Sequence, residues 1–230
     1  MRNICAIFKK QFKDTLKNRM ILLQFVMFPL ITILMESTVT INDLTPHFFA
    51  EIFSVMYMGM APLVTVSSII AEEKEKNTLR VLLMANVRPC EYLLGVGSYV
   101  WLLCMAGALA IGLTTGYSGT ELCSYMIIMA IGFIISLLVG ATMGVASKSQ
   151  MAANSMTVPT MMVLSLLPMI SVFNSTVEKV AKYFYTYQIR LFITQLNDGI
   201  MSTVGTIVLA ASFVAAVVAF TISYRRNGLE

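Results

Sequence analysis

The chain has 230 residues, of which 57% are hydrophobic and 12% are charged, and its formal net charge is +4. Soluble globular domains carry about 25% charged residues, so this composition excludes an ordinary soluble fold and indicates a membrane protein. The length predicts one membrane domain, 1–230, without room for a separate soluble module, and the modest positive charge gives no reason to expect a nucleic-acid partner.

The first segment, 1–19, has the pattern of an amphipathic helix. Its apolar residues repeat at helical spacing and its lysines fill the remaining face: Ile4, Ile7, Phe8, Phe12 and Leu16 against Lys9, Lys10, Lys13 and Lys17. Such a helix lies in the membrane interface with its lysines among the headgroups. Two interpretations remain open. It is a membrane anchor that orients the first span, or a lever that joins this span to a cytosolic partner.

Six apolar stretches follow, and each approaches or exceeds the roughly 20 residues that cross a bilayer. The predicted spans are Met20–Met35, Ile52–Ala71, Tyr92–Tyr117, Leu122–Ala146, Met151–Phe173 and Met201–Tyr224. None of them contains Asp, Glu, Lys, Arg or His, which argues against a carrier driven by an ion gradient. No phosphate-loop motif occurs in the sequence either, so another chain is expected to supply the energy for any transport.

The basic residues predict which way the chain crosses the membrane. Six of the sixteen Lys and Arg precede the first span, four follow the second, one follows the fourth and two follow the sixth. Only Lys179, Lys182 and Arg190 lie on the other side. Lys and Arg near span ends are retained in the cytoplasm, so we expect both termini to be cytoplasmic.

The segment between the second and third spans, 72–91, is longer than the 2–8 residues that usually connect helices. Its acidic-basic run, 72–76, extends the second span as a solvated helix, and Thr78 is expected to cap a short helix. One face of this short helix carries three leucines: Leu79, Leu82 and Leu83. Pro89 disfavours helix at Arg88, so the chain is expected to turn there before the third span.

Residues 73–83, with the Val87-Arg88-Pro89 run, Glu91 and Gly95 after them, resemble the signature of permease subunits of type-2 ATP-binding-cassette exporters. The family pattern is an acidic-basic run, Gly-Thr-Leu, several leucines, a Pro and a Glu, then Gly-Lys at the start of the third span. Asn77 replaces the family's Gly, and Val96 stands where Lys is common. The amphipathic helix, the six spans and the long outer segment also fit, so the resemblance covers essentially the whole chain.

The resemblance implies that 72–91 forms a coupling helix that docks in a cleft of a separate ATPase subunit. The carboxylates of the segment would face basic groups of that subunit, and its leucines would fill the apolar cleft: Glu72, Glu73 and Glu75, then Leu79, Leu82 and Leu83. Thr78, Arg88 and Pro89 would shape the segment. On the residues alone, a solvated helix extension with a membrane-facing leucine stripe is the alternative.

The resemblance also implies the cofactors and partners. ATP and Mg would bind to two copies of the ATPase, whereas this chain would bind no cofactor or metal and would contain no catalytic residue. A second copy of the chain, or a similar permease, would complete the transport pathway. The chain itself would be a transport subunit without its own nucleotide-binding site.

The outer segment, 174–200, contains a dense aromatic cluster: Tyr183, Phe184, Tyr185 and Tyr187. Tyrosines at a membrane boundary are common, so an aromatic belt in the interface is one interpretation. The family resemblance implies instead two partly re-entrant helices that form an outer gate, with a break near the turn signal at 197–199. Such a break at membrane depth must be shielded by protein or line a cavity.

The fifth span combines prolines with several methionines. The candidates for pathway residues are Met156, Pro159, Met161, Met162 and Pro168. Methionine is flexible and suits surfaces that accept varied apolar ligands. The family resemblance places this span along the central pathway, while lipid-facing packing is the alternative.

These observations predict an all-α integral membrane protein with an N-terminal interfacial helix, six transmembrane helices and a partly re-entrant outer segment. The expected function is export, by alternating access, of amphipathic or hydrophobic cargo from a bacterium across its plasma membrane. A peptide such as a toxin or an antimicrobial peptide is the first choice of cargo, and drugs or lipids are alternatives. A membrane scaffold or receptor subunit that transports nothing is the alternative from another class.

Overall fold

The computed structural model describes residues 2–17, 19–38, 47–84, 87–196 and 202–227, and these parts of the chain contain helices and no strand. The helices are α1 (Arg2–Lys17), α2 (Arg19–Thr38), α3 (Phe48–Glu75), α4 (Thr78–Met84), α5 (Pro89–Thr114), α6 (Gly119–Ala146), α7 (Gln150–Phe173), α8 (Ser175–Ala181), α9 (Tyr185–Thr194) and α10 (Thr203–Asn227). The all-α expectation is confirmed for these residues.

Five of these helices, α3, α5, α6, α7 and α10, are long and apolar enough to cross a membrane. Together they support a multi-pass membrane protein, because a helix of about 20 apolar residues matches the thickness of the hydrocarbon core. The first predicted span corresponds to α2, whose apolar part within the described residues, Leu22–Thr38, is shorter. The count of six spans therefore stays a prediction.

The helix ends follow local sequence signals. The predicted span Tyr92–Tyr117 is too long at its C-terminal end, because α5 stops at Thr114. Gly116 comes two residues later with a φ of 88°. This left-handed conformation costs glycine little, so Gly116 turns the chain towards α6.

The two ends of the helical bundle are identified by three contacts. The Lys10 Nζ of α1 lies 2.7 Å from Glu73 near the end of α3. The Lys74 Nζ of α3 donates to the Val145 carbonyl oxygen of α6, and the Ser223 hydroxyl of α10 donates to the Thr142 carbonyl oxygen. Therefore α1, α4 and the last turns of α10 share one end of the bundle, here called the α4 end. The helices α8 and α9 lie at the opposite end.

The central helix is α3, which packs against α2, α5, α6, α7 and α9. Its membrane-spanning stretch is 72% buried, whereas that of α10 is only 11% buried. Two Gly-x-x-x-Gly patterns, at Gly112 and Gly116 and at Gly140 and Gly144, predict close helix approaches. The structure confirms the second on α6, whereas a Cβ at Gly116 would meet no atom within 4 Å. A Cβ at Gly140 would lie 2.9 Å from the Leu63 Cα, and one at Gly144 would lie 3.0 Å from the Ser67 carbonyl oxygen. The two backbones therefore touch because neither glycine has a side chain.

The substitution Gly140→Ala tests this approach. The added methyl group overlaps the backbone of Leu63, which moves only if α3 moves, so we expect the free energy of unfolding to fall by about 1–3 kcal/mol. The measurement is the temperature at which detergent-solubilised protein loses its monodisperse size-exclusion peak. Gly97→Ala on α5 is the matched control, because a Cβ at Gly97 meets no atom within 4 Å. If both variants lose the peak at the same temperature, the close approach of α3 and α6 is contradicted.

Candidate functional site

The acidic-basic run after the second span is helical, as expected, because α3 continues to Glu75. A turn at Lys76 and Asn77 then redirects the chain into α4. Asn77 has a φ of 55°, a left-handed conformation that asparagine adopts more readily than most residues. The Asn that replaces the family's Gly is therefore compatible with the turn.

Thr78 has a different role from the predicted helix cap. It is the first residue of α4 and not the residue before it, and its hydroxyl donates to the Glu73 carbonyl oxygen at 3.1 Å. The last carbonyl groups of a helix lack partners within that helix. Thr78 thus satisfies one such group of α3 and ties α4 to it.

The three carboxylates of the run have three different partners within the chain. Glu72 forms a surface ion pair with Lys76. The hydrogen bond to the Glu72 carboxylate, and then its negative charge, raise the pKa of the Lys76 amine. Glu75 is exposed, and its Oε2 accepts a hydrogen bond from the Gln150 backbone N–H at 2.7 Å, at the start of α7. Glu73 is buried. In this structure Glu72 and Glu75 remain accessible to a partner, and Glu73 does not.

The expected leucine face of α4 points largely into the chain itself. Leu79 is 1% exposed and belongs to the core, while Leu82 is half-buried against that core. The side chain of Leu83 lies outside the described residues. Arg80, Val81 and Met84 form the accessible surface, with Val81 59% exposed and Met84 72% exposed. We call these three residues the α4 outer face.

The segment 72–91 turns at Arg88, as the sequence predicts. Arg88 has an extended backbone, with φ −70° and ψ 142°, and α5 begins at Pro89. The Glu91 Oε2 accepts a hydrogen bond from the Arg88 backbone N–H at 3.1 Å. Proline suits the first position of a helix because its missing N–H has no helical partner there. The side chain of Arg88 is exposed.

Helix α1 is attached to this segment through Glu73, a contact that the sequence pattern does not reveal. The Glu73 Oε1 accepts hydrogen bonds from the Lys10 Nζ and the Gln11 Nε2, both at 2.7 Å. Phe8 of α1 also packs edge-to-face on Tyr99 of α5, with the ring centroids 5.4 Å apart. The apolar face of α1 therefore contacts protein, and α1 is attached to the α3 end that carries α4.

The substitution Glu73→Ala should release α1. It leaves the buried amide of Gln11 and the amine of Lys10 without their acceptor, a loss of about 1–3 kcal/mol in docking. Hydrogen–deuterium exchange of the α1 amides is therefore expected to accelerate, while exchange in α6 stays unchanged. Glu72→Ala is the matched control, since a surface ion pair contributes only about 0–1 kcal/mol. If both variants leave α1 exchange at the wild-type rate, Glu73 does not hold this helix.

At the opposite end, the aromatic cluster is divided between surface and interior. Tyr183 is 79% exposed and Phe184 is half-buried in the bend between α8 and α9. Tyr185 and Tyr187 are each 4% exposed. The Tyr185 hydroxyl lies 2.8 Å from the Ser136 hydroxyl of α6, and the Tyr187 hydroxyl donates to Glu178 at 3.0 Å. An interfacial belt thus suits the position of Tyr183 and not those of the two buried tyrosines.

Polar contacts anchor α9 to the bundle. The Thr194 hydroxyl donates to the Glu51 Oε2 at 2.9 Å, near the start of α3. A guanidinium N–H of Arg190 donates to the Pro168 carbonyl oxygen of α7 at 3.4 Å. Between α8 and α9, hydrogen bonds from Lys182 and then Tyr187 lower the pKa of the Glu178 carboxyl. The predicted break at 197–199 lies outside the described residues, and the bend within them is at 182–184.

The candidate pathway residues of α7 fall on both sides of the helix. Met156, Pro159 and Met162 are exposed. Met161 is half-buried and Pro168 is buried. Hydroxyl contacts hold the inner side of α7 against α3, with Ser67 and Thr157 2.9 Å apart. Within the described residues, α7 therefore presents a long, mostly apolar face that the other helices do not cover.

Comparison with protein-family models finds no family that matches this chain, and comparison with curated proteins finds no match either.

Proposed function

We propose that this chain is the transmembrane permease subunit of an ATP-driven exporter. In this proposal it moves amphipathic or hydrophobic cargo, with a peptide as the first choice, out of a bacterial cell across the plasma membrane. Two copies of a separate ATPase bind ATP and Mg and supply the energy, and a second copy of the chain or a similar permease completes the pathway. The observation that carries the proposal is the α4 outer face, where the apolar side chains of Val81 and Met84 lie exposed beside Arg80 on a helix fixed to the central helix.

The attachment of α4 suits it to transmit force. Leu79 is 1% exposed in the core, and the Thr78 hydroxyl donates to the last turn of α3. A force on the outer face therefore reaches α3 without an intervening flexible linker. Glu72 and Glu75 lie in the last turn of α3, shortly before α4 in the chain, and their accessible carboxylates offer negative charge for basic groups of an ATPase. Two spans are usually joined by about 2–8 residues, so a simple connection would not need a fixed helix with an accessible outer face.

The second attachment is α1, held by the hydrogen bonds of Lys10 and Gln11 to Glu73. Because α1 and α4 contact the same turn of α3, a displacement of one acts on the other. This geometry supports the lever interpretation of α1 in addition to anchoring. An exporter driven by an external ATPase needs such a link between its docking surface and its spans.

The uncovered face of α7 supports a pathway built from more than one chain. Its exposed residues include the soft side chains of Met156 and Met162, and no charged residue interrupts it. Met side chains adapt to ligands of different shape. A second permease opposite this face would enclose a passage suited to apolar or amphipathic cargo.

The substitution Met84→Asp tests docking at the α4 outer face. A carboxylate in an apolar contact should cost about 2 kcal/mol or more of binding to the ATPase. A photoreactive residue at position 84 in the native cell first identifies the partner as a phosphate-loop ATPase. Met84→Asp is then expected to reduce co-purification of that ATPase and the export of cargo. Tyr183→Asp, at the opposite end and equally exposed, is the control that leaves co-purification unchanged.

Two outcomes separate the exporter from its alternatives. ATP hydrolysis by the reconstituted complex should rise when amphipathic peptides are added, whereas a scaffold would hydrolyse ATP at one rate with or without them. If position 84 captures no ATPase, or if Met84→Asp retains wild-type co-purification and export, this face is not the coupling surface.

The orientation of the chain in the membrane has its own test. Each labelling variant is made in a cysteine-free background, because the native Cys5, Cys90 and Cys123 are exposed and would react with the reagent, while Cys104 is buried. A membrane-impermeant maleimide is expected to label Tyr183→Cys in intact cells, and to label Arg80→Cys only after lysis. The reason is the excess of basic residues on the α4 end of the bundle. Labelling of Arg80→Cys from outside would reverse the proposed topology.

A further inference from the structure

An apolar groove runs along α5 on the surface of the bundle. Residues of α3 and α6 line it together with those of α5, and Phe220 of α10 also contributes to the lining. The cavity measures about 600 Å³, within the range of small-ligand sites. Apart from Cys90 and Ser98, its lining consists of apolar side chains and glycine. We call this cavity the α5 groove.

The length of the α5 groove corresponds to one leaflet of a membrane. On α5 it extends from Cys90, next to the α4 end, to Trp101. The rise of about 1.5 Å per residue makes this distance about 16 Å. Half of the hydrocarbon core is about 15 Å. If the α4 end lies at the headgroups, a groove of this length ends near the middle of the bilayer, as an acyl chain does.

Positive charge is concentrated at the α4 end of the α5 groove. Arg88 precedes α5 directly, two residues before Cys90, and Arg225 and Arg226 lie in the last turns of α10 after Phe220. All three arginines are exposed, and within the described part of the chain no ion pair involves them. The carboxylate of Glu91, on the first turn of α5, accepts from the Arg88 backbone N–H. A net positive mouth remains above an apolar groove.

We propose that the α5 groove binds one acyl chain of an anionic phospholipid, whose headgroup contacts Arg88, Arg225 and Arg226. Basic clusters at helix ends attract anionic headgroups, and long arginine side chains reach the interface. The length of the groove selects an acyl chain, and the arginines select the charge of the headgroup. This site requires only that the chain is embedded in a membrane, so it does not depend on the proposed export function.

The chain contains its own reporter for this site. Trp101 is the single tryptophan of the sequence and lines the inner end of the α5 groove. Its indole N–H donates to the Ala130 carbonyl oxygen at 3.3 Å, which fixes the ring in place. Bromine atoms on a lipid chain quench tryptophan fluorescence only at short range. Quenching of Trp101 therefore measures occupation of the groove.

The full chain is reconstituted in phosphatidylcholine vesicles that contain the same low mole fraction of chain-brominated phosphatidylglycerol or chain-brominated phosphatidylcholine. Quenching is expressed relative to vesicles without bromine. We expect brominated phosphatidylglycerol to quench Trp101 more strongly than brominated phosphatidylcholine. Arg88→Gln should lower the relative affinity for phosphatidylglycerol about fivefold, the effect of one basic residue near an anionic surface.

A second pair of variants tests the groove itself. Gly97 lines the groove, and a Cβ there meets no atom within 4 Å, so Gly97→Phe fills the cavity without a clash at its base. This variant is expected to lose the difference between the two brominated lipids. Ala106→Phe, on an exposed position of α5 outside the groove, is the matched control and should retain the difference.

Two results would overturn the proposal. Equal quenching by both lipids in the wild-type chain would mean that the groove holds ordinary bilayer lipid without selection. Weak quenching by both would mean that protein, such as a second copy of the chain, covers the groove. Both results come from the wild-type chain, so they decide the proposal even if Gly97→Phe fails to fold.

Discussion

The close packing of α3 inside the other helices is the constraint on which the rest of the structure depends. Lipid tails are as apolar as leucine side chains, so helices in a membrane associate through close van der Waals contact and paired polar groups. Both are present on α3. Its backbone at Leu63 and Ser67 approaches Gly140 and Gly144 of α6, and the Ser67 hydroxyl pairs with Thr157 of α7. Larger residues at the two glycines would separate α3 from α6.

Because α3 is one continuous helix of 28 residues, it connects the two ends of the bundle over about 42 Å. Near its first turn Glu51 accepts a hydrogen bond from Thr194 of α9, and near its last turn Glu73 accepts from Lys10 and Gln11 of α1. A shift of the α4 end along this helix would act on α9 directly. That is the mechanical property which the proposed exporter requires, since its energy would enter at one end and its cargo would leave at the other.

The proposed ligands of this chain occupy separate surfaces. The α4 outer face projects from one end of the bundle, the α7 face lies along its side, and the α5 groove lies between α5 and Phe220 of α10. An ATPase, a second permease and a phospholipid could therefore be bound at the same time. The proposed lipid site adjoins Arg88, at the end of the α4 segment.

The sequence by itself determined the helical class, the approximate positions of the long apolar helices, the turn before Pro89 and the close approach at Gly140. These features follow from local rules: hydropathy over about 20 residues, the missing N–H of proline and the missing side chain of glycine. Only the tertiary structure decided which side of α4 faces the chain. Leu79 and Leu82 lie on one stripe of this seven-residue helix and Val81 and Met84 on another, and both stripes are apolar.

The same holds for the charged and aromatic residues. The sequence places three glutamates close together, but in the packed structure α1 covers Glu73, while Glu72 and Glu75 stay accessible. Tyr183 and Tyr185 are two residues apart, yet one is exposed and the other pairs with Ser136 of α6, forty-nine positions away in the chain. The periodicity of apolar residues along the sequence predicts which side of a helix is polar and which is apolar. Which neighbour occupies that side depends on contacts between distant parts of the chain, and these exist only after the helices have packed.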